Sequence, residues 1–278
     1  MRSRTRPLRA AAPSGVKLGL SRAEPCRLRS VTVCSLTWAE RPDLGERGPD
    51  SRLIWPEYNL HGDAFDDLWE PLLEELPEYQ FALYDDVADV VLAEAHTGPL
   101  AWNGDDRGLP DGIDAALRLV VCGHRAGRAT DTLCAFAAEV DPTARRRGLA
   151  GDLLRGMGEL ARRQRLRRMI APVRPSWKER YPLAPIERYV TWRRADGQLL
   201  DPWMRLHERF GARVATALPH SMRITGSVRD WESWIELPLP ESGSYVFPHG
   251  LAPLTVDRDA DVAEYWEPNV WMVHPDTS

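Results

Sequence analysis

The chain has 278 residues, 43% hydrophobic and 28% charged, ordinary values for a globular protein of one large domain or two small ones. Its net charge is −5, yet the first 30 residues carry eight Arg and Lys against Glu24 alone; that local +7 leaves −12 elsewhere, which argues against a general nucleic-acid binder. No apolar run reaches the roughly eighteen residues of a membrane span, and four cysteines without paired ligand spacing give neither a disulfide scaffold nor a metal site, so a cytoplasmic, metal-free protein is expected.

Residues 1–28 are rich in Arg, Ala, Ser and Pro and lack the continuous apolar core of a secretory signal; they are expected to be a disordered basic extension before one domain at 29–278. Residues 28–38, LRSVTVCSLTW, are dense in β-formers and predict the first strand. In 65–76, Leu68, Leu72 and Leu76 recur four apart with acids between them, the pattern of a helix ending before Pro77, with Pro71 inside it. Residues 81–84 and 87–96 flank Asp85 and Asp86 as a hairpin. The stretch 103–112 is turn chemistry throughout, and 113–121 reads as a second helix.

The run 132–140, TLCAFAAEV, predicts a strand, and a Pro-containing turn follows it. Leu149, Leu153, Met157 and Leu160 then mark the apolar stripe of a helix that starts near Gly148. The first N–H groups of such a helix have no acceptor within it and, with the helix dipole, form an anion site fit for a phosphate. Arg145, Arg146 and Arg147 add positive charge, while Gly148 and Ala150 keep bulk away from an approaching ligand. A solvated basic helix face is the alternative reading of the arginine triplet. Gly151, Gly156 and Gly158 each cost about 1 kcal/mol relative to Ala in an exposed helix, so this helix is expected to be held by packing. Residues 168–173 read as a parallel strand reached by a right-handed crossover.

This strand, turn and helix resemble motif A of the GNAT superfamily, the acyl-CoA-dependent N-acyltransferases. The family's pyrophosphate loop reads Arg/Gln-x-x-Gly-x-Gly/Ala, and Arg145, Gly148 and Ala150 match it. The resemblance implies an α/β GNAT fold: a mixed, mostly antiparallel twisted sheet with a splayed parallel strand pair and flanking helices. It implies acetyl-CoA or a related acyl-CoA as substrate. The pyrophosphate would lie on Arg145, Arg146, Arg147, Gly148, Leu149 and Ala150, and the pantetheine amides on the backbone at Glu139 and Val140. The region after the first strand would wall the acceptor groove, which brings in Trp55, Tyr58, Asn59, His61 and Asp63.

A second, narrower resemblance spans about residues 30–273. Arg174-Pro175-Ser176, the segment 201–212 (DPWMRLHERFGA), the turn 240–243 and 267–271 (EPNVW) look like the GNAT-like domains of polyketide synthase loading modules and their free-standing bacterial relatives. Those domains are associated with decarboxylation of malonyl-type thioesters. The resemblance implies catalytic roles for Ser176, which stands where the relatives have Thr, and for His207. Arg223 could bind a carboxylate bidentately. An N-acyltransferase instead needs a base for the amine, donors for the oxyanion and an acid for the thiolate; Glu139, Tyr181, Tyr189 and Ser176 are available. On the residues alone, His207 reads as a solvated helix-face residue between Arg205 and Arg209, and Arg223 as a strand-edge ion pair. Three functions stay open: an acyl-CoA-dependent N-acyltransferase acting on a small-molecule amine, a malonyl-thioester decarboxylase that supplies an acyl starter unit on CoA or on an acyl carrier protein, and a non-catalytic acyl-CoA-binding module.

Overall fold

The computed structural model describes residues 33–277, so the basic extension expected at 1–28 lies outside the described residues. Four strands, β1 (Val33–Thr37), β2 (Gln80–Asp85), β3 (Val90–Leu100) and β4 (Thr132–Val140), pair antiparallel in succession. β5 (Arg168–Val173) lies parallel to β4. The chain then adds β6 (Arg213–Gly226), β7 (Gly243–Tyr245), β8 (Leu254–Asp257) and β9 (Val262–Val273). β9 is antiparallel to β5, β6 and β8, which makes one mixed sheet.

The helices are α1 (Asp63–Glu75), α2 (Ile113–Arg125), α3 (Leu149–Arg163), α4 (Ile186–Tyr189), α5 (Pro202–Arg209) and α6 (Val228–Ile235). α1 persists across Pro71 because Leu68 and Leu72, buried on either side of it, hold both turns against the core despite the missing backbone hydrogen bond. The side-chain amide of Gln80 donates to the carbonyls of Leu72 and Leu76 at 3.3 and 3.0 Å, tying the end of α1 to one face of the sheet. α3 packs on the opposite face. Leu149, Leu153, Met157 and Leu160 are all buried there, the stripe expected from their spacing, each worth roughly 1.5–3 kcal/mol of transfer free energy. Gly156 allows that approach: a Cβ on it would stand 2.7 Å from the Phe81 ring. Nothing within 4 Å explains Gly158.

The hairpin differs from the sequence expectation. Asp85 accepts from the N–H groups of Val87 and Ala88 at 3.1 and 3.0 Å, and Asp89 takes a left-handed φ of 56°, so Val87 and Ala88 belong to the turn and β3 starts at Val90.

Positioning of the site comes from how the parallel pair ends. β4 and β5 share only three residue pairs, Thr132 with Arg168, Leu133 with Met169 and Cys134 with Ile170. Beyond them β5 follows β9, while β4 stays with β3 as far as the Val140–Ala93 pair. A bulge in the β3–β4 ladder leaves Phe136 without an opposite residue, which bends β4 where the two strands separate. Pro172, with no N–H to offer, sits on the other side of the divergence.

Candidate active site

A cavity of about 630 Å³ occupies the gap between β4 and β5. Ala135 to Glu139 of β4 form one wall, and Ala171, Pro172 and Val173 of β5 the other. Ala150, Leu154 and Met157 bring in α3; Trp203 and His207 bring in α5. Ser51, Trp55 and Asn59, with Phe65, Asp66, Trp69 and Glu70 on and beside α1, close the remaining side. Ala150 is the second residue of α3, so the cavity reaches the start of that helix. The helix begins after Gly148, whose φ of 84° is left-handed and which has no side chain to cap the free N–H groups. Arg145, Arg146 and Arg147 are exposed around it, so this terminus is open to an anion.

The carboxylates of the cavity are held in different ways. Glu139 accepts from Ser51 Oγ at 2.8 Å and from Trp55 Nε1 at 2.7 Å, and burial raises its pKa against those two bonds. Glu94 faces it across the β3–β4 ladder. Burial first, and the charge of Glu139 second, push Glu94 up to about 8. Glu267 is saturated: Arg174 Nε donates to its Oε1, Asn59 Nδ2 reaches the same oxygen at 3.2 Å, and Tyr265 donates to Oε2 at 2.5 Å. The Arg174 guanidinium is committed as well, to Glu267, to the Tyr58 hydroxyl at 3.0 Å and to the His249 carbonyl at 2.9 Å. Asp66 and Glu70, one turn apart on α1, are exposed carboxylates at the cavity.

His207 is 1% exposed and lines the cavity. Asp201 caps α5 by accepting from the N–H groups of Trp203 and Met204, and so fixes the helix on which His207 sits. The imidazole lies edge-on to Trp203 at 4.5 Å, its Nδ1 is 2.9 Å from His274 Nε2, and its Nε2 has no hydrogen-bond partner. Burial, then the neighbouring His274, hold its pKa well below the usual histidine range.

No family model matches the chain. It is 31% identical over 271 residues to the arginine N-acetyltransferase avaD of Aspergillus versicolor, a match covering 86% of this chain and 92% of that one. The chain belongs to the GNAT superfamily. Like other GNAT acyltransferases it is an enzyme. Its fold is similar to the loading GNAT-like domain of CurA from Lyngbya majuscula, with a TM-score of 0.54, 15% identity, and 88% of this chain and 97% of that one covered. A GNAT-like decarboxylase, GphF in complex with isobutyryl-CoA, has a TM-score of 0.46 at 16% identity, with 74% and 83% covered.

Against the GNAT frame, the structure brings Glu139, Ala150, Ser176 and His207 to one cavity. Val140 and Leu149 pack on the core and are not among the residues that line the cavity. Arg223 does not reach the cavity: it is exposed on β6, 2.7 Å from Glu264 and 3.6 Å from Asp63, the strand-edge ion pair that was the alternative reading. Of the groove candidates after β1, Trp55 and Asn59 line the cavity. Tyr58 instead donates to the His249 carbonyl, His61 stacks on Trp234 beside Glu57, and Asp63 accepts from Thr225. Tyr181 and Tyr189 lie outside the cavity, Tyr189 donating to Asp201 at 2.9 Å. Sequence reasoning missed Ser51, Asp66 and Glu70; the one-turn spacing of the two α1 acids was the available signal. Among the described residues no group of three or more His, Cys, Asp or Glu could hold a metal ion, and no helix is long and apolar enough to cross a membrane.

Proposed function

We propose that this enzyme transfers the acetyl group of acetyl-CoA to a nitrogen of a small cationic acceptor of the arginine class. The observation that carries the reading is the charge of the cavity. Asp66, Glu70, Glu139 and Glu267 line it, and the one guanidinium among the lining residues, Arg174, is already bound to Glu267. Such a pocket favours an ammonium or guanidinium ion and repels a malonyl carboxylate, all the more because Arg223 is outside it. The arginine N-acetyltransferase relative supports the same acceptor class.

In this reading the pyrophosphate lies on the free N–H groups at Leu149 and Ala150, with Arg145, Arg146 and Arg147 around it. The pantetheine arm follows the β4 edge at Glu139 and Val140, which β5 leaves unpaired. The thioester then sits in the strand gap beside His207. The cationic acceptor first loses one proton to water, and the neutral nitrogen attacks the thioester carbonyl; His207 Nε2 takes the second proton, the C–S bond breaks, and the thiolate is protonated on release. Ser176, at the cavity rim, is the hydroxyl donor for the oxyanion or the thiolate.

The test is release of free CoA, followed with a thiol reagent and by mass spectrometry of the acceptor, from purified protein with acetyl-CoA and arginine, related cationic amines or neutral amines. Transfer to a cationic amine is expected. No transfer to any of them, or carbon dioxide release from malonyl-CoA without an acceptor, overturns the reading.

A further inference from the structure

The imidazole facing the cavity is oriented by a second imidazole. Among the described residues neither His207 nor His274 is paired with a carboxylate; the hydrogen bond of their rings is to each other, Nδ1 to Nε2, at 2.9 Å. His274 follows β9 and is 7% exposed, against 1% for His207. The pair therefore runs from a cavity-lining residue whose other nitrogen, Nε2, is buried and has no partner, to a residue that touches the surface.

Two neutral rings sharing one bond have two arrangements. In the first, His207 Nδ1–H donates to His274 Nε2, so His207 Nε2 offers a lone pair to the cavity and His274 carries its other proton on Nδ1. In the second, His274 Nε2–H donates to His207 Nδ1, His207 Nε2–H points into the cavity, and His274 Nδ1 is bare. Both arrangements are uncharged.

We propose that the His207–His274 pair is a charge-neutral proton relay that takes the acceptor's proton in the cavity, returns one to the departing thiolate, and exchanges protons with solvent through His274 in between. An N–H bond of the acceptor breaks and one forms at His207 Nε2. The shared proton crosses from His207 Nδ1 to His274 Nε2, and His274 Nδ1 releases its own to water. One proton enters and one leaves, and the first arrangement becomes the second. Return of a proton to His274 Nδ1, with loss of the one on His207 Nε2 to the departing thiolate, resets it.

Burial is the reason for the device. An imidazolium at His207 would have no carboxylate bonded to it and almost no water, a costly state in the interior. Burial holds both rings neutral, with His274 pushed down to about 4. A carboxylate in the place of His274 would hold His207 in one tautomer and stabilise it as a cation; an imidazole accommodates either tautomer and removes the charge. His274 acts through His207 and is a positioning residue. The inference rests on the acetyl-transfer reading above.

His274→Gln puts an amide where Nε2 was, which keeps a hydrogen bond to His207 but passes no proton onward; His274→Ala leaves a hole. Both variants are expected to bind acetyl-CoA like wild type by calorimetry, with an unchanged KM for acetyl-CoA and a kcat lowered on the order of tenfold to a hundredfold. Added imidazole should restore His274→Ala saturably and leave His274→Gln unaffected. Wild-type kcat in His274→Gln overturns the relay, since a hydrogen bond alone would then suffice. So does a folded, acetyl-CoA-binding His274→Ala whose lowered kcat imidazole does not raise. Independently of turnover, isotope-labelled protein should show a nitrogen–nitrogen coupling across the hydrogen bond between the two rings, lost in His274→Gln; its absence from wild type also overturns the relay. Lack of transfer by the wild-type protein itself would overturn the functional reading, whereas the other outcomes bear on the relay alone.

Discussion

Replacing Glu94 by Gln isolates the most heavily perturbed carboxyl of the β3–β4 ladder. Glu94 is 4% exposed, faces Glu139, and leaves its Oε1 without a partner. Below its ordinary value of 4.5 the folded and unfolded chains both carry the proton; above it the unfolded chain releases the proton and the folded one keeps it up to about 8. The folded state then binds more protons than the unfolded state, so stability falls as pH rises through that interval, by up to about 1.4 kcal/mol per pH unit. Summed over the interval, the loss is on the order of 4 kcal/mol, an upper figure because water entering the ladder would reduce it. Gln keeps the shape and has no proton to release. Urea unfolding of both proteins at about pH 5 and about pH 8 measures this, and the buried histidines contribute equally to each. Wild type should lose several kcal/mol more than Glu94→Gln between the two conditions. Parallel losses would refute the retained proton and the burial argument behind it.

Three other substitutions follow from the same geometry. Gly148→Glu places a carboxylate on the free N–H groups of α3 and should abolish acetyl-CoA binding by calorimetry, whereas Gly148→Ala, forced to a φ of 84°, should cost about 1 kcal/mol of stability; unchanged affinity in the Glu variant would displace the pyrophosphate. Asp66→Asn combined with Glu70→Gln should raise KM for a cationic acceptor a few-fold to about tenfold, leaving KM for acetyl-CoA and for neutral amines alone; equal effects on both acceptor types would remove the acidic face from specificity. Gly156→Leu forces atoms into the Phe81 ring and should destabilise the fold by about 1–3 kcal/mol in a urea melt, and wild-type stability would mean that α3 can move off the sheet.

What the sequence made legible was local. β4 and β5 were read with the bounds they have, and the α3 stripe was read from its period, because alternation, a Pro turn and a helical repeat all lie within a few neighbouring residues. The hairpin turn was read too short because the Asp85 side chain, rather than the Asp85-Asp86 pair, organises it. Side-chain destinations set by distant chain were not legible. His207 read as a solvated helix-face residue because what buries it includes His274, 67 positions away. The partners of Glu139 are 88 and 84 positions before it, in a stretch with no strand or helix period of its own. Arg223 has the residue type for a carboxylate ligand, but strand alternation turns it outward while its neighbour Met222 lines the cavity.

The brevity of the β4–β5 register has a consequence for the protein without its donor. Three residue pairs are the whole of the direct seam between the first four strands and the rest of the sheet, so few ladder hydrogen bonds join these two parts. A long, polar-backboned molecule lodged in that cleft would act as a zip between the two parts, and its departure would leave the amides of residues 135–140 that face the cleft, rather than β3, among the first to exchange with deuterium. Saturation with donor should therefore slow exchange along this line and raise the melting temperature by mass action, linking the enzyme's persistence in the cell to the supply of what it consumes.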